Sequence, residues 1–272
     1  HALQNAIDRM GAMLRFFMHG DGRLALFNGA GESAERTIAT LLARDDARGK
    51  PFGHATFSGY QRLAAGRTLV LLDGGTPPPP LYSNDAHAGA LALEISTGPY
   101  RIVVNCGANY ERGPDWRDAG RRTAAHSTLS LNGECSAGYV TRASAVRRFG
   151  TRLVSRGESV SRREENAGGI WVEAYHDAWL KPHGLRYERR LFLAPHGEDL
   201  RGEDRLTPEV RVKPLRRGER PPRLNFALRF HIHPDVKVSP TEGGDAAILR
   251  LPNGEGWRFR VAGGTIAVED SV

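Results

Sequence analysis

Ten histidines are spread over 272 residues, and two of them, His87 and His126, stand beside the most strand-like runs in the chain. His87 opens "HAGALALEIS", and Asn105 closes "YRIVVN". A turn at "STGPY" (96–100) joins the two runs, so antiparallel pairing brings residues 87 and 105 to one end of the hairpin. His126 begins the next strand, "HSTLSL". Two imidazoles and a side-chain oxygen from neighbouring strands can hold a zinc ion, with water completing the tetrahedron. The plainer alternative is that all three are ordinary strand-end residues. A second pair, His231 and His233 in "RFHIHPD", alternates onto one strand face but has no third ligand nearby, so packing is its expected role.

The charge balance invites an acidic partner, and a coding bias toward arginine is the plainer alternative. The net charge is +7, and of 38 basic residues four are lysine and 34 arginine. Arginine's planar fork suits bidentate contact with carboxylate, sulfate or phosphate. Nucleic acid is not expected, because the arginines are scattered and lack interleaved aromatics on which bases stack. Their densest cluster, "VRVKPLRRGERPPR" (210–223), lies among prolines and reads as an exposed loop.

The elements that must position these residues follow from periodicity. Residues 2–18 place Leu3, Ile7, Met10, Leu14 and Phe17 at helical steps. A second helix is expected at about 34–44, with Ile38, Leu41 and Leu42 as its stripe. From about residue 50 the period drops to two, in short runs bounded by Gly, Pro, Asn or Asp. That spacing predicts a mainly β chain, a large two-sheet antiparallel β-sandwich preceded by a short helical segment, with no helix among the later strands. No run approaches 18 apolar residues, so no membrane span is expected. Two cysteines make no disulfide framework, and no signal peptide is visible.

"HAGALALEI" followed by "RIVVNCGAN", "PDWR" and "RRTAAHSTLSLNG" resembles the C-terminal sandwich of the heparinase II/III-like polysaccharide lyases, and "YHDAW", "RRLFL" and "LRFHIHPDV" resemble its later strands. The resemblance implies that residues 1–48 are the tail of an α/α toroid and 49–272 the sandwich. It implies β-elimination on a uronic-acid polysaccharide: a base takes the C5 proton, a cation neutralises the adjoining carboxylate, and an acid protonates the leaving oxygen. It puts a structural zinc at His87, Asn105 and His126, weakened because neutral Asn105 replaces an aspartate, and it puts Asp85 at the position of the catalytic histidine. Gly89 replaces a further aspartate of the motif. Tyr110, Arg117, Arg121 and Arg122 are then expected to meet an acidic polysaccharide or oligosaccharide, Tyr110 by stacking or by giving a proton. The family's catalytic tyrosine and asparagine lie in the toroid, so the chain alone is expected to be inactive. The compartment implied is the periplasm. The competing expectation, favoured by Asp85 and Asn105, is a non-catalytic carbohydrate-binding or structural sandwich.

Overall fold

A computed structural model of the chain describes residues 2–33, 35–44, 49–108, 110–155, 157–209 and 223–271. The basic segment 210–222 lies outside the described residues. Helix α1 spans Ala2–Phe17 and α2 spans Glu35–Ala43. The expected α1 stripe is not buried as read: its last members, Leu14 and Phe17, are half-buried, and the enclosed residue is the neighbouring Phe16. Phe16 is fully enclosed, with Met13 and Phe17 packed beside it, whereas Leu3, Ile7 and Met10 are exposed.

Among the described residues all strand pairings are antiparallel. The largest sheet runs β1 (His54–Ala55), β2 (Tyr60–Ala65), β3 (Thr68–Asp73), β4 (Leu93–Thr97), β5 (Tyr100–Val104), with β14 (His231–Ile232) on its far edge. A second sheet has the order β12 (Leu200–Pro208), β11 (Leu185–Leu193), β10 (Gly169–His176), β9 (Ser159–Asn166). Three smaller sheets complete the described residues: β6 (Leu129–Leu131) with β13 (Phe226–Leu228), β7 (Ala137–Tyr139) with β8 (Leu153–Ser155), and β15 (Lys237–Pro240), β16 (Ala246–Arg250) and β17 (Gly256–Arg260).

The two large sheets share one core. Leu63, Val70, Leu72 and Ile102 meet Ile170, Val172, Leu191 and Leu193 there. On β10 the alternation is clean: Ile170, Val172 and Ala174 are buried while Trp171 and Glu173 face water. Strand β3, "TLVLL", is buried along both faces. Val70 and Leu72 enter the inter-sheet core, and Leu69 and Leu71 pack under Phe16 and Phe27 of the N-terminal segment. A strand covered on both sides must be continuously apolar, and this one is.

The expectation of uninterrupted strands after residue 50 needs one correction. Among the described residues three short α-helices intervene: α3 (Pro114–Gly120), α4 (Ala143–Phe149) and α5 (Leu180–His183). With two turns or fewer, none carries a stripe long enough to register as helical periodicity.

Candidate functional site

Strands β4 and β5 form the expected hairpin, with a register shift at Ile95/Ser96 and Gly98 at φ 50° in the turn. His87 does not open β4. It sits in the loop before it, and His126 follows a 3-10 turn at Thr123–Ala125 ahead of β6. Thr123 clamps the two together, its hydroxyl donating to Ala88 O at 2.7 Å. His87 Nδ1 then lies 3.2 Å from His126 Nε2. Gly89 permits this approach, because a Cβ there would stand 3.1 Å from His126 Cγ.

Both rings are buried, His87 to 6% and His126 to 1% exposure. Burial, with Arg121 and Arg117 adding to it, pushes His87 down to about 3. Burial and then His87 hold His126 well below its ordinary value. Both are neutral at ordinary pH, so one donates to the other.

Asn105 reaches the neighbourhood but turns its amide elsewhere. Nδ2 donates to Glu94 Oε1 at 2.9 Å, and Oδ1 accepts the Ser127 N–H at 2.9 Å. The fit to zinc is therefore partial. Two nitrogens on a tetrahedral zinc stand roughly 3.3 Å apart, which the histidine pair satisfies. Asn105 does not supply the third donor, and no group of three His, Cys, Asp or Glu among the described residues is placed to hold a metal ion. We derive no step through a metal.

A second, exposed cluster lies in front of the pair. Asp85 Oδ1 accepts from Tyr110 OH at 3.2 Å and from Arg117 Nη2 at 3.2 Å. Arg117 also donates to Asn84 O and Thr151 Oγ1, and its guanidinium stands 5.9 Å from the centre of the Tyr110 ring. Burial, then the Asp85 charge, push the Tyr110 hydroxyl upward, so it keeps its proton. Arg122 is exposed nearby.

Arg121, expected to meet a ligand, is instead an internal strut. It is 2% exposed and donates to Ala86 O, Thr151 O and Ser83 O, stacking over Tyr139. A guanidinium enclosed by main-chain carbonyls holds loop 83–86 in place and has no face for a substrate.

Other residues of this region carried no signal beyond a turn. Asn28, in "FNGAG", adopts φ 51°. Its Oδ1 accepts the His87 N–H at 3.0 Å and its Nδ2 donates to Tyr60 OH at 2.7 Å. A Cβ on Gly29 would meet Asp85 Cβ at 2.7 Å and Tyr110 OH at 2.9 Å, so only glycine fits. Behind Tyr60, burial pushes the Asp73 carboxyl up to about 7. Of the other histidine pair, His231 donates from Nε2 to Ala124 O at 2.9 Å, a strand-fixing contact.

A family profile described as "Heparinase II/III-like, C-terminal" matches residues 47–272. The chain belongs to that family. Its fold is similar to that of a heparan sulfate lyase mutant from Pedobacter heparinus (TM-score 0.61, 12% identity, 91% of this chain and 37% of that one). A heparinase III structure gives TM-score 0.60 at 13% identity, covering 93% of this chain and 40% of the other. At these identities the likeness is one of fold. FtsZ-localized protein C from Caulobacter vibrioides (strain NA1000 / CB15N) is 37% identical over 261 residues, covering 95% of this chain and 44% of the relative. The chain thus spans less than half the length of the relatives it matches. No helix among the described residues is long and apolar enough to cross a membrane.

Proposed function

We propose that this chain is the polysaccharide-facing wall of a larger protein and binds an acidic glycan at the Asp85–Tyr110–Arg117 end, with no lyase turnover of its own. One observation carries this reading: an exposed tyrosine and an arginine converge on Asp85 at the position that the lyase resemblance puts at the cleft. Tyr110 offers a ring face and a retained proton, and Arg117 and Arg122 offer forks for a uronate carboxylate. The remaining parts of elimination are not supplied. Asp85 is already engaged by Arg117 and Tyr110, and the neutral imidazoles that could act as bases are shut behind it. β-Elimination by the whole protein would then need its base from outside this chain, with Tyr110 as acid and Arg117 as carboxylate neutraliser.

Retention on immobilised heparin, alginate and neutral dextran tests the reading, alongside near-ultraviolet absorbance for unsaturated products. Retention on the anionic polymers only, without absorbance, is expected. Equal elution from all three would contradict glycan recognition, and absorbance from this chain alone would contradict the missing base.

A second reading is favoured by the 37% identical relative, whose name records localisation with FtsZ. In it the sandwich is a non-catalytic part of a protein that localises with FtsZ. Co-sedimentation of the chain with FtsZ polymers, together with no glycan retention, would favour it over the first.

A further inference from the structure

The second sheet gives one face to the core and turns the other outward. Strands β9 to β12 pair in continuous register, so the outward side chains line up in rows across all four strands. From β9 to β12 one row reads Glu164, Trp171, Phe192, Arg201. The next reads Arg162, Glu173, Arg190, Glu203, and the third Val160, Tyr175, Glu188, Arg205.

Two features set this face apart from a merely solvated one. Trp171 is 46% exposed although it stacks on Phe192, with ring centres 4.4 Å apart. The pair leaves an aromatic platform open to water. In the middle row the charges alternate in sign, and Arg190 bridges Glu173 at 3.2 Å and Glu203 at 3.6 Å.

Such a row read backwards is its own opposite in charge. A two-fold axis lying between β10 and β11, parallel to them, would set a second copy face to face with the first. The rotation exchanges β9 with β12 and β10 with β11, and it keeps each row at its own height. Glu164 then faces the second copy's Arg201, and Trp171 faces its Phe192. Arg162 faces its Glu203, and Glu173 faces its Arg190. In the third row Tyr175 faces Glu188 and Val160 faces Arg205, so that row adds no ion pair. An axis across the strands, along the middle row, instead sets Arg162 on Arg162 and Glu173 on Glu173. Like-charge contact disfavours that arrangement.

We infer that the outer face of β9–β12 is an interface between two copies of this chain, related by the two-fold axis parallel to the strands. Strands β9 and β10 have eight residues each. Four such strands, at ~3.3 Å per residue and ~4.8 Å between strands, offer roughly 500 Å² on each copy. That is toward the small end of specific interfaces, so the dimer is reversible. Its facing ion pairs make it weaken with salt.

Sedimentation velocity of the intact chain across a wide concentration range, at low and high salt, tests this. A monomer–dimer equilibrium that salt shifts toward monomer is expected. Glu173→Arg sets arginine against arginine twice and should raise the dissociation constant about tenfold or more. Adding Arg190→Glu exchanges the two signs and should restore the parent's dimer. Where Glu173→Arg fails to fold, Arg201→Glu, at a side chain 72% exposed, removes the facing pair with Glu164 and should weaken the dimer alike. Monomer at every concentration would overturn the inference, including a monomer whose tryptophan fluorescence moves on adding an acidic oligosaccharide. So would a dimer that neither variant weakens, or one that the exchanged pair does not restore.

Discussion

Asn105 shows how one amide settles a local chemistry. Its Nδ2 faces Glu94 Oε1, which also accepts the Asn105 and Leu26 N–H groups, while its Oδ1 holds the Ser127 N–H beside His126. An aspartate here would set two buried carboxylates against each other and lose the Glu94 contact. Asn105→Asp is thus expected to cost about 2–3 kcal/mol in urea unfolding without metal. Part of that loss should return on adding zinc, if the new carboxylate joins the histidine pair. Unchanged stability without zinc would mean that the Glu94 contact matters little. Strand placement suggested that His87 and His126 converge, but not by this route: His87 lies in the loop before β4, and the Thr123 hydroxyl holds that loop to the turn before His126. The burial of Arg121 was not legible. An Arg-Arg pair in a loop reads as solvated, and only the tertiary arrangement reveals the carbonyls around one of the two.

At the scale of elements, two buried side chains tie the N-terminal segment to the first sheet. Glu94 on β4 accepts from Leu26 N–H and from His19 Nε2 at 3.0 Å. Arg101 on β5 engages Asp21 and both carboxylate oxygens of Glu32. The segment from 18 to 33 carries Asn28 and Gly29 to the candidate site, so these ties position it. Glu94→Gln puts an amide N–H among donors and is expected to cost about 3 kcal/mol. Limited proteolysis should then cut first within residues 18–33. A cleavage pattern like the parent's would show that hydrophobic packing of Phe16 and Phe27 suffices. The helices α1 and α2 and the β4–β5 hairpin were readable from period, and β3 from its unbroken apolar run. The helices α3 to α5 were not, being too short to show a face.

For the whole molecule, buried titratable groups set an acid limit. His87 and His176 fall from an ordinary 6.5 to about 3, and His126 moves the same way. The unfolded chain binds protons there that the folded one refuses, so stability is present above about pH 6.5 and is lost as pH falls toward 3. Asp73 acts oppositely: raised from 3.8 to about 7, it costs stability as pH rises between those values. Three groups outweigh one, so unfolding midpoints should drop steeply between pH 6.5 and 4, by a few kcal/mol in total. A flat profile over that range would contradict the buried, neutral state of the three rings.

The central claim, that the Asp85–Tyr110–Arg117 end recognises an acidic glycan, is tested most directly by calorimetric titration with uronate oligosaccharides, comparing the parent chain with Arg117→Ala. Salt-dependent binding that weakens about tenfold in the variant is expected, a loss of about 1.4 kcal/mol for one charge-assisted contact. Equal affinity in both chains, or no heat with any acidic oligosaccharide, would contradict it.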